Sequence, residues 1–178
     1  MLKEKSKMSK KIVIINGSPT PGGNTRCLSE AVLEGAKEAG NEGVIIDLAS
    51  LSIAPYAGPT QPEDDMTRVA DEMRTADVVV IASPLYWMQF TGQIKIWMDR
   101  LSTVGKEILA GKETALLACA ASPAEVIEKN LLGYYRMCFV DSLGWKNMGS
   151  VLAGGVYAPG QVRSTPYCEQ AKELGKIL

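Results

Sequence analysis

The chain has 178 residues, enough for one domain with a sizeable core, and its 46% apolar and 22% charged residues are typical of a globular protein. Its formal net charge of −1 gives no broad basic field for nucleic acid. The sequence contains no histidine, which excludes Ser-His-Asp and Cys-His catalysis and histidine-based metal sites.

The first segment, residues 1–10 (MLKEKSKMSK), is charged and has no apolar h-region, so it is not a signal peptide. We expect a flexible tail here and a single domain over residues 11–178. No apolar run in the sequence approaches the length of a membrane span. The default expectations are a cytoplasmic location and no membrane partner.

The next segment combines a strand with a helix. Residues 12–15 form a continuous β-branched run that ends at Asn16, which predicts a parallel strand buried on both faces. Apolar and small residues then recur at steps of mostly three and four from Leu28 to Ala39, which predicts a helix that Gly40 ends.

This strand–helix unit recurs along the chain. The further predicted strands are residues 44–46, 77–82, 114–119 and 148–156. The further predicted helices have apolar stripes within residues 66–73, 94–101, 122–142 and 167–178. Asp64 and Asp65 stand near the positive end of the second helix, while Ser122 as N-cap, Pro123 and Glu125 predict a capping box for the fourth.

Five strands that alternate with five helices imply parallel pairing, because each helix returns the chain to the edge where the next strand begins. The predicted fold is therefore a doubly wound α/β sandwich with a five-stranded parallel sheet. Ligands bind such folds beyond the carboxyl ends of the strands, at the switch in strand order. The loops after strands one, three and four are the candidate site.

The loop after strand one, residues 16–26, is rich in glycine and hydroxyl groups and leads into a helix N-terminus. Exposed backbone N–H groups there favour a phosphate, and Ser18, Thr20 and Thr25 add hydroxyl donors. The loop matches neither GxGxxG nor the P-loop. The alternative is an ordinary connection with Asn24 as N-cap, but such connections usually have about two to six residues.

The loop after strand three, residues 83–90, carries three aromatic residues and a methionine where loops usually become polar. A planar ligand explains them, because aromatic and Met side chains cover a ring face. The alternative is that they cap the core or line a dimer contact. The loop after strand four, residues 120–123, has small side chains that allow close approach of a ring or second substrate.

The four cysteines are scattered along the chain at Cys27, Cys119, Cys138 and Cys168, and no CxxC motif occurs. Their spacing does not match a metal site, so we expect buried free thiols and no bound metal.

Two stretches resemble the flavodoxin-like NAD(P)H-dependent FMN reductase family, in particular its iron–sulfur flavoprotein-like branch. They are IINGSPTPGGNTR, residues 14–26, and residues 64–100, which include SPLYWMQFTGQIKIWMDR. The two motifs cover a little over a quarter of the chain, whereas the strand–helix alternation fits nearly all of it.

The resemblance implies a flavodoxin-like strand order, 2-1-3-4-5, a non-covalently bound FMN, and a homodimer or homotetramer. The residues implied for the FMN phosphate are Ser18, Thr20, Asn24 and Thr25. Those implied for the ring are Pro84, Leu85, Tyr86, Trp87 and Met88, and the third loop adds Ala120 and Ser122 as cofactor-binding candidates.

Two departures from the family pattern matter. Thr20 stands where many relatives have arginine, and Arg26 is the candidate substitute for that phosphate contact. The iron–sulfur branch has a compact cysteine cluster between the second strand and the second helix, whereas residues 53–60 of this chain contain no cysteine. A cluster held by that motif is therefore excluded.

The resemblance implies hydride transfer from NADH or NADPH to FMN, followed by electron transfer to a small acceptor such as a flavin or a quinone. The flavin carries such chemistry, so no catalytic side chain is assigned. One alternative is an electron carrier that docks on redox partner proteins, although such flavodoxins are typically strongly acidic and this chain is not. A scaffold that has lost the flavin is the other. The sequence shows no clear site for a 2′-phosphate, so NADH and NADPH both stay open.

Overall fold

The centre of the fold is a sheet of five parallel strands. In the computed structural model, which describes residues 9–178, they are β1 Lys11–Asn16, β2 Glu42–Asp47, β3 Val78–Pro84, β4 Glu113–Cys119 and β5 Lys146–Ala153. Their order is β2-β1-β3-β4-β5, and every neighbouring pair is parallel. The predicted fold class and strand order are confirmed.

Helices cover both faces of this sheet. They are α1 Asn24–Glu38, α2 Met66–Arg74, α3 Gly92–Arg100, the short α4 Lys106–Leu109, α5 over residues 124–141, and α6 Tyr167–Ile177. Within α5, Glu128–Leu132 and Arg136–Asp141 are π-helical. Short 3₁₀ turns lie at Leu48–Ser50, Leu101–Thr103 and Gln161–Ser164.

The two faces of β1 show why its sequence is apolar throughout. Ile12 and Ile14 belong to the core layer that also contains side chains of α1 and α6, whereas Val13 and Ile15 belong to the layer with α2, α3 and α5. All four side chains are fully buried. Because successive side chains of a strand point to opposite faces, a strand covered on both sides needs an uninterrupted apolar run.

Helices α1 and α6 pack closely because two glycines lie at their crossing. A Cβ added to Gly35 would lie 1.9 Å from the carbonyl oxygen of Lys172, and one added to Gly175 would lie 2.1 Å from that of Val32. Neither position has room for a side chain. The two helices therefore approach each other backbone to backbone at this crossing.

Two predicted boundaries are wrong, and both concern the end of the sheet near β4 and β5. The N-cap of α5 is Pro123 and no side chain caps it, so Ser122 does not form the predicted capping box. The last strand ends at Ala153 instead of residue 156, because Ala153 pairs with Cys119, the last residue of β4. Residues 154–160 therefore form a loop at the carboxyl edge.

The long connection between β2 and α2 is held by a buried ion pair. The two terminal guanidinium nitrogens of Arg100, Nη1 and Nη2, donate to Asp64 at 2.5 and 3.1 Å, and the Asp64 carboxylate also accepts from the backbone N–H of Met66 at 2.9 Å. The hydrogen bond from Arg100 lowers the pKa of Asp64 to about 2. Asp64 and Asp65 thus lie at the N-terminus of α2, as predicted.

Of the predicted N-terminal tail, residues 1–8 lie outside the described residues. Lys10 is bound to the domain: its backbone N–H donates to Asn41 Oδ1 at 3.1 Å, and its Nζ donates to the carbonyl of Leu178 at 2.6 Å. Over residues 9–178, no helix combines the length and the apolar character that crossing a bilayer requires.

Candidate functional site

A cavity of about 300 Å³ lies at the carboxyl edge of the sheet, where the loops after β1, β3, β4 and β5 converge. The chain places β2 on one side of β1 and β3 on the other, so the strand order reverses next to this cavity. In doubly wound folds this switch point is where ligands bind. The cavity is therefore the candidate site, and its volume is within the usual range for small-molecule pockets.

One end of the cavity is formed by the loop after β1 and the first turn of α1. Four residues assigned to the phosphate from the sequence lie here: Ser18, Thr20, Asn24 and Thr25. Gly23, not Asn24, is the N-cap, and no side chain caps the helix or places an acid in its first turn. Uncapped N–H groups at the N-terminus of a helix of 15 residues, beside three hydroxyl groups, suit a phosphate.

The Asn24 side chain has protein partners on both of its polar atoms. Its Nδ2 donates to the carbonyl of Ala158 at 3.0 Å, and its Oδ1 accepts from the backbone N–H of Val162 at 2.9 Å. The side chain therefore connects the start of α1 to the loop after β5. What Asn24 offers the cavity is its backbone N–H.

Arg26 lies outside this cavity. Its guanidinium pairs with Asp47 and with Glu30, and it lines a larger second cavity, about 530 Å³, between the loops after β1 and β2. In that second cavity the charged groups are paired with one another, and Asn16 Nδ2 also donates to Asp47 Oδ1 at 2.6 Å. Arg26, the candidate phosphate contact, therefore lies on a different surface of this segment from the one that lines the first cavity.

The other end of the cavity has mainly apolar walls. Pro84, Leu85 and Tyr86 line it from the end of β3, and Ala120 lines it from the loop after β4, together with Cys119 and Ala121. The backbone N–H of Leu85 donates to the carbonyl of Cys119 at 2.8 Å, which holds the two loops together. These small and apolar side chains suit a planar ring.

The Cys119 side chain lines the cavity and contacts the first turn of α1. Its Sγ is 3.1 Å from Thr25 Oγ1. Burial raises the pKa of this thiol, so it is protonated and neutral near pH 7. In a chain whose four cysteines are all free, this is the one thiol that lines the cavity.

Trp87 and Met88 do not line the cavity, although the sequence assigned both to the ring. They are the two central residues of a tight turn in which Tyr86 and Gln89 exchange backbone hydrogen bonds of 3.0 Å. Both have positive φ, 49° and 62°, as a type I′ turn requires. The turn holds the Trp87 side chain fully exposed and that of Met88 half exposed.

Ser122 also lies away from the cavity lining. Its carbonyl accepts from the backbone N–H of Gly155 at 2.9 Å, so it joins the loop after β4 to the loop after β5. Its position in the loop after β4 is where the sequence placed it, but it does not line the cavity.

The structure adds a wall that sequence reasoning missed. Val156, Tyr157 and Pro159, in the loop after β5, also line the cavity. The signal for this loop was present: two glycines, Gly154 and Gly155, follow the apolar run, and such pairs mark loops. The predicted strand extends across both glycines to Val156, so it assigns these residues to the sheet and not to a loop that lines the cavity.

The donor set and the walls fit FMN. The hydroxyl groups and helix N-terminus match a phosphate, and the apolar end matches a ring. None of the described side chains that line the cavity carries a charge, so a phosphate held here would depend on hydroxyl and backbone donors. Nor do the described residues include any group of three or more His, Cys, Asp or Glu side chains placed to hold a metal ion.

Comparisons with known proteins agree on one family. A sequence model described as NADPH-dependent FMN reductase matches residues 10–146. An iron-sulfur flavoprotein of Methanosarcina thermophila is 34% identical over 181 residues, covering 94% of this chain and 95% of its own length. Iron-sulfur flavoprotein MJ1083 of Methanocaldococcus jannaschii is 33% identical over 98 residues, and this match spans about half the length of each protein, 51%.

Solved structures show the same fold. NAD(P)H:quinone oxidoreductase from Methanothermobacter marburgensis superposes with a TM-score of 0.72 over 94% of this chain and 96% of its own, at 22% identity.

Proposed function

The chain belongs to the NADPH-dependent FMN reductase family, and we propose that it is an oxidoreductase that passes electrons from NADH or NADPH through bound FMN to a small acceptor. The observation that carries this proposal is one cavity with an uncapped helix N-terminus at one end and apolar walls at the other. That arrangement suits a ligand with a phosphate at one end and a ring at the other.

In this proposal the protein binds and orients, and the cofactor reacts. When bound, FMN supplies the hydride acceptor and the electron donor. The residues we propose for its phosphate are Ser18, Thr20 and Thr25, through their hydroxyl groups, with the backbone N–H groups of the first turn of α1.

For the ring, we propose packing against Pro84, Leu85, Tyr86 and Ala120, which line the apolar end of the cavity. The Cys119 thiol, neutral because burial raises its pKa, adds no charge beside the ring. No lining side chain is required as a general acid or base, because hydride transfer to a flavin needs none. The absence of histidine is therefore compatible with the activity.

The acceptor, assembly and location are further proposals. The quinone named for the M. marburgensis structure supports a quinone-type acceptor. Exposed Trp87 and Met88 beside the cavity mouth support a homodimer or homotetramer, because exposed apolar patches mark interaction sites. The four free cysteines support a reducing, cytoplasmic compartment.

Flavin analysis and turnover test the proposal together. The purified protein is expected to be yellow, to release FMN on denaturation, and to oxidise NADH or NADPH in the presence of a quinone. Release of FAD, or no flavin uptake by refolded protein, would contradict the assigned cavity. FMN uptake without any reduction by NADH or NADPH would favour the electron-carrier alternative.

A further inference from the structure

The mouth of the cavity is flanked by two exposed tyrosines from different loops. Tyr86 follows β3 and is 47% exposed, whereas Tyr157 follows β5 and is 86% exposed. Both line the cavity. Tyrosine rings that remain exposed at the entrance of an apolar cavity are available to contact a planar ligand.

The charge of the lining restricts which ligand fits. None of the described side chains around the cavity is charged. The apolar and aromatic walls offer packing to a neutral planar molecule, whereas a highly charged acceptor finds no side chain of opposite charge in this lining. The lining therefore favours uncharged planar acceptors over anionic or metal-ion acceptors.

The backbone that carries Tyr157 is held from outside the cavity. Gln161 Oε1 accepts from the backbone N–H groups of Tyr157 and Ala158, at 2.7 and 3.0 Å. The Asn24 side chain holds the same loop from the other side, through Ala158 and Val162. Gln161 does not line the cavity, so it can be changed without removing a ligand contact.

We propose that Tyr157 is a specificity-determining residue for the electron acceptor. Its ring forms the side of the mouth against which a planar, uncharged acceptor of the quinone class packs. Asn24 and Gln161 are positioning residues that act through the loop of residues 154–160. The inference rests on the proposed function, because the acceptor must pass this mouth to reach the FMN ring.

Menadione, a planar neutral quinone, and ferricyanide, a charged and non-planar acceptor, are the two probes. In Tyr157→Leu we expect the KM for menadione to rise about fivefold, which corresponds to the loss of one aromatic contact. The KM for ferricyanide should rise much less. Tyr157→Phe keeps the ring and should restore the menadione KM. Gln161→Met should act in the same direction as Tyr157→Leu, and Gln161→Glu, which keeps the accepting oxygen, should restore the wild-type value.

A binding measurement independent of turnover accompanies the kinetics. The dissociation constant of β-naphthol, a redox-inert planar analogue, is measured on FMN-loaded protein by its fluorescence and should rise in Tyr157→Leu. Tyr56→Leu is the control, because Tyr56 is another exposed tyrosine, at 47%, that does not line the cavity.

Three outcomes would count against the inference. Unchanged menadione KM and β-naphthol affinity in Tyr157→Leu, with FMN uptake and reduction by NADPH intact, overturn this inference alone. Equal rises for menadione and ferricyanide also overturn it, because they indicate a general distortion. A wild-type chain that takes up no FMN overturns the proposed function and this inference together.

Discussion

The hydroxyl of Thr25 lies 3.1 Å from the thiol of Cys119, so the first turn of α1 is in contact with the end of β4, and both residues line the cavity. This contact joins the phosphate end to the ring end. Thr25 is fully buried, and its hydroxyl is one of the donors proposed for FMN.

Thr25→Val removes that hydroxyl and keeps the shape of the side chain. A hydrogen bond to a charged group contributes about 1.5–3 kcal/mol, so we expect FMN affinity to fall about tenfold or more, with little change in apoprotein stability. Ser18→Ala should act similarly. Fluorescence titration measures the affinity, and Cys119→Ala is the control because it breaks the same contact but keeps the hydroxyl. Equal losses in Thr25→Val and Cys119→Ala would mean that the contact itself matters, not the hydroxyl.

Replacement by alanine should have opposite effects on stability at two helical glycines, one at the crossing of α1 and α6 and one outside it. Gly35→Ala places a methyl group 1.9 Å from a backbone carbonyl, so we expect a loss of about 3 kcal/mol or more in the free energy of unfolding. Gly133→Ala, in α5, meets nothing within 4 Å and should gain about 0.5–1 kcal/mol from helix propensity. Urea unfolding of both apoproteins measures the difference. A stable Gly35→Ala variant would contradict the close packing.

The turn at Trp87 and Met88 predicts that replacing these two residues raises the stability of the fold and weakens subunit assembly. Asn-Gly is the preferred pair for such a turn, and each non-glycine residue in the left-handed region costs about 1 kcal/mol. The double variant Trp87→Asn, Met88→Gly should therefore melt about 2–4 °C higher as apoprotein. Differential scanning calorimetry measures this, and sedimentation should show a smaller assembly. A lower melting temperature would show that the two side chains support the fold.

The ion pair of Asp64 with Arg100 predicts a stability change in acid. The folded pKa of Asp64, about 2, lies below its unfolded value, so its contribution is present above about pH 4 and is lost as pH falls towards 2. Asp64→Asn leaves the buried Arg100 unpaired and should cost about 3 kcal/mol at neutral pH. Urea unfolding between pH 2 and 5 should then show a flatter profile than wild type. If the free energy of unfolding changed equally with pH in both proteins, Asp64 would not contribute to the loss of stability in acid.

The cysteine pattern predicts protein without an iron–sulfur cluster. Relatives are named iron-sulfur flavoproteins, but residues 53–60 of this chain contain no cysteine and the four cysteines are scattered. Elemental analysis of anaerobically purified protein should find no stoichiometric iron or acid-labile sulfide. Stoichiometric amounts of both would require cluster ligands in an arrangement that the described residues do not contain.

The strands were predictable because their burial leaves a direct trace in the sequence. The run at residues 12–15 is apolar throughout because both of its faces are covered, and the strand–helix alternation then determines parallel pairing. The loop wall at Val156 and Tyr157 leaves a weaker trace, the pair Gly154 and Gly155, which marks a loop without fixing the residue where the strand ends. Where β5 ends depends on where β4 ends, a pairing that no local pattern records.

Side-chain partners were the other limit of sequence reasoning. Asn24 and Arg26 follow β1 at the start of α1, in the segment where the sequence places them, but their polar atoms are directed to Ala158 and to Asp47 by contacts across the fold. In the same way, the aromatic loop is where it was expected, yet the tight turn directs Trp87 away from the cavity lining.

Anaerobic stopped-flow reduction of the FMN-loaded protein is the decisive measurement of electron transfer from a nicotinamide nucleotide to the flavin. NADH or NADPH is mixed with the holoprotein, and the flavin absorbance near 450 nm is followed, a band that FMN loses on two-electron reduction. A reductase should show rapid bleaching by at least one nucleotide, followed by recovery of the absorbance when menadione is added. A flavin that stays oxidised with both nucleotides would contradict a reductase and identify the chain as a carrier of electrons delivered by another protein.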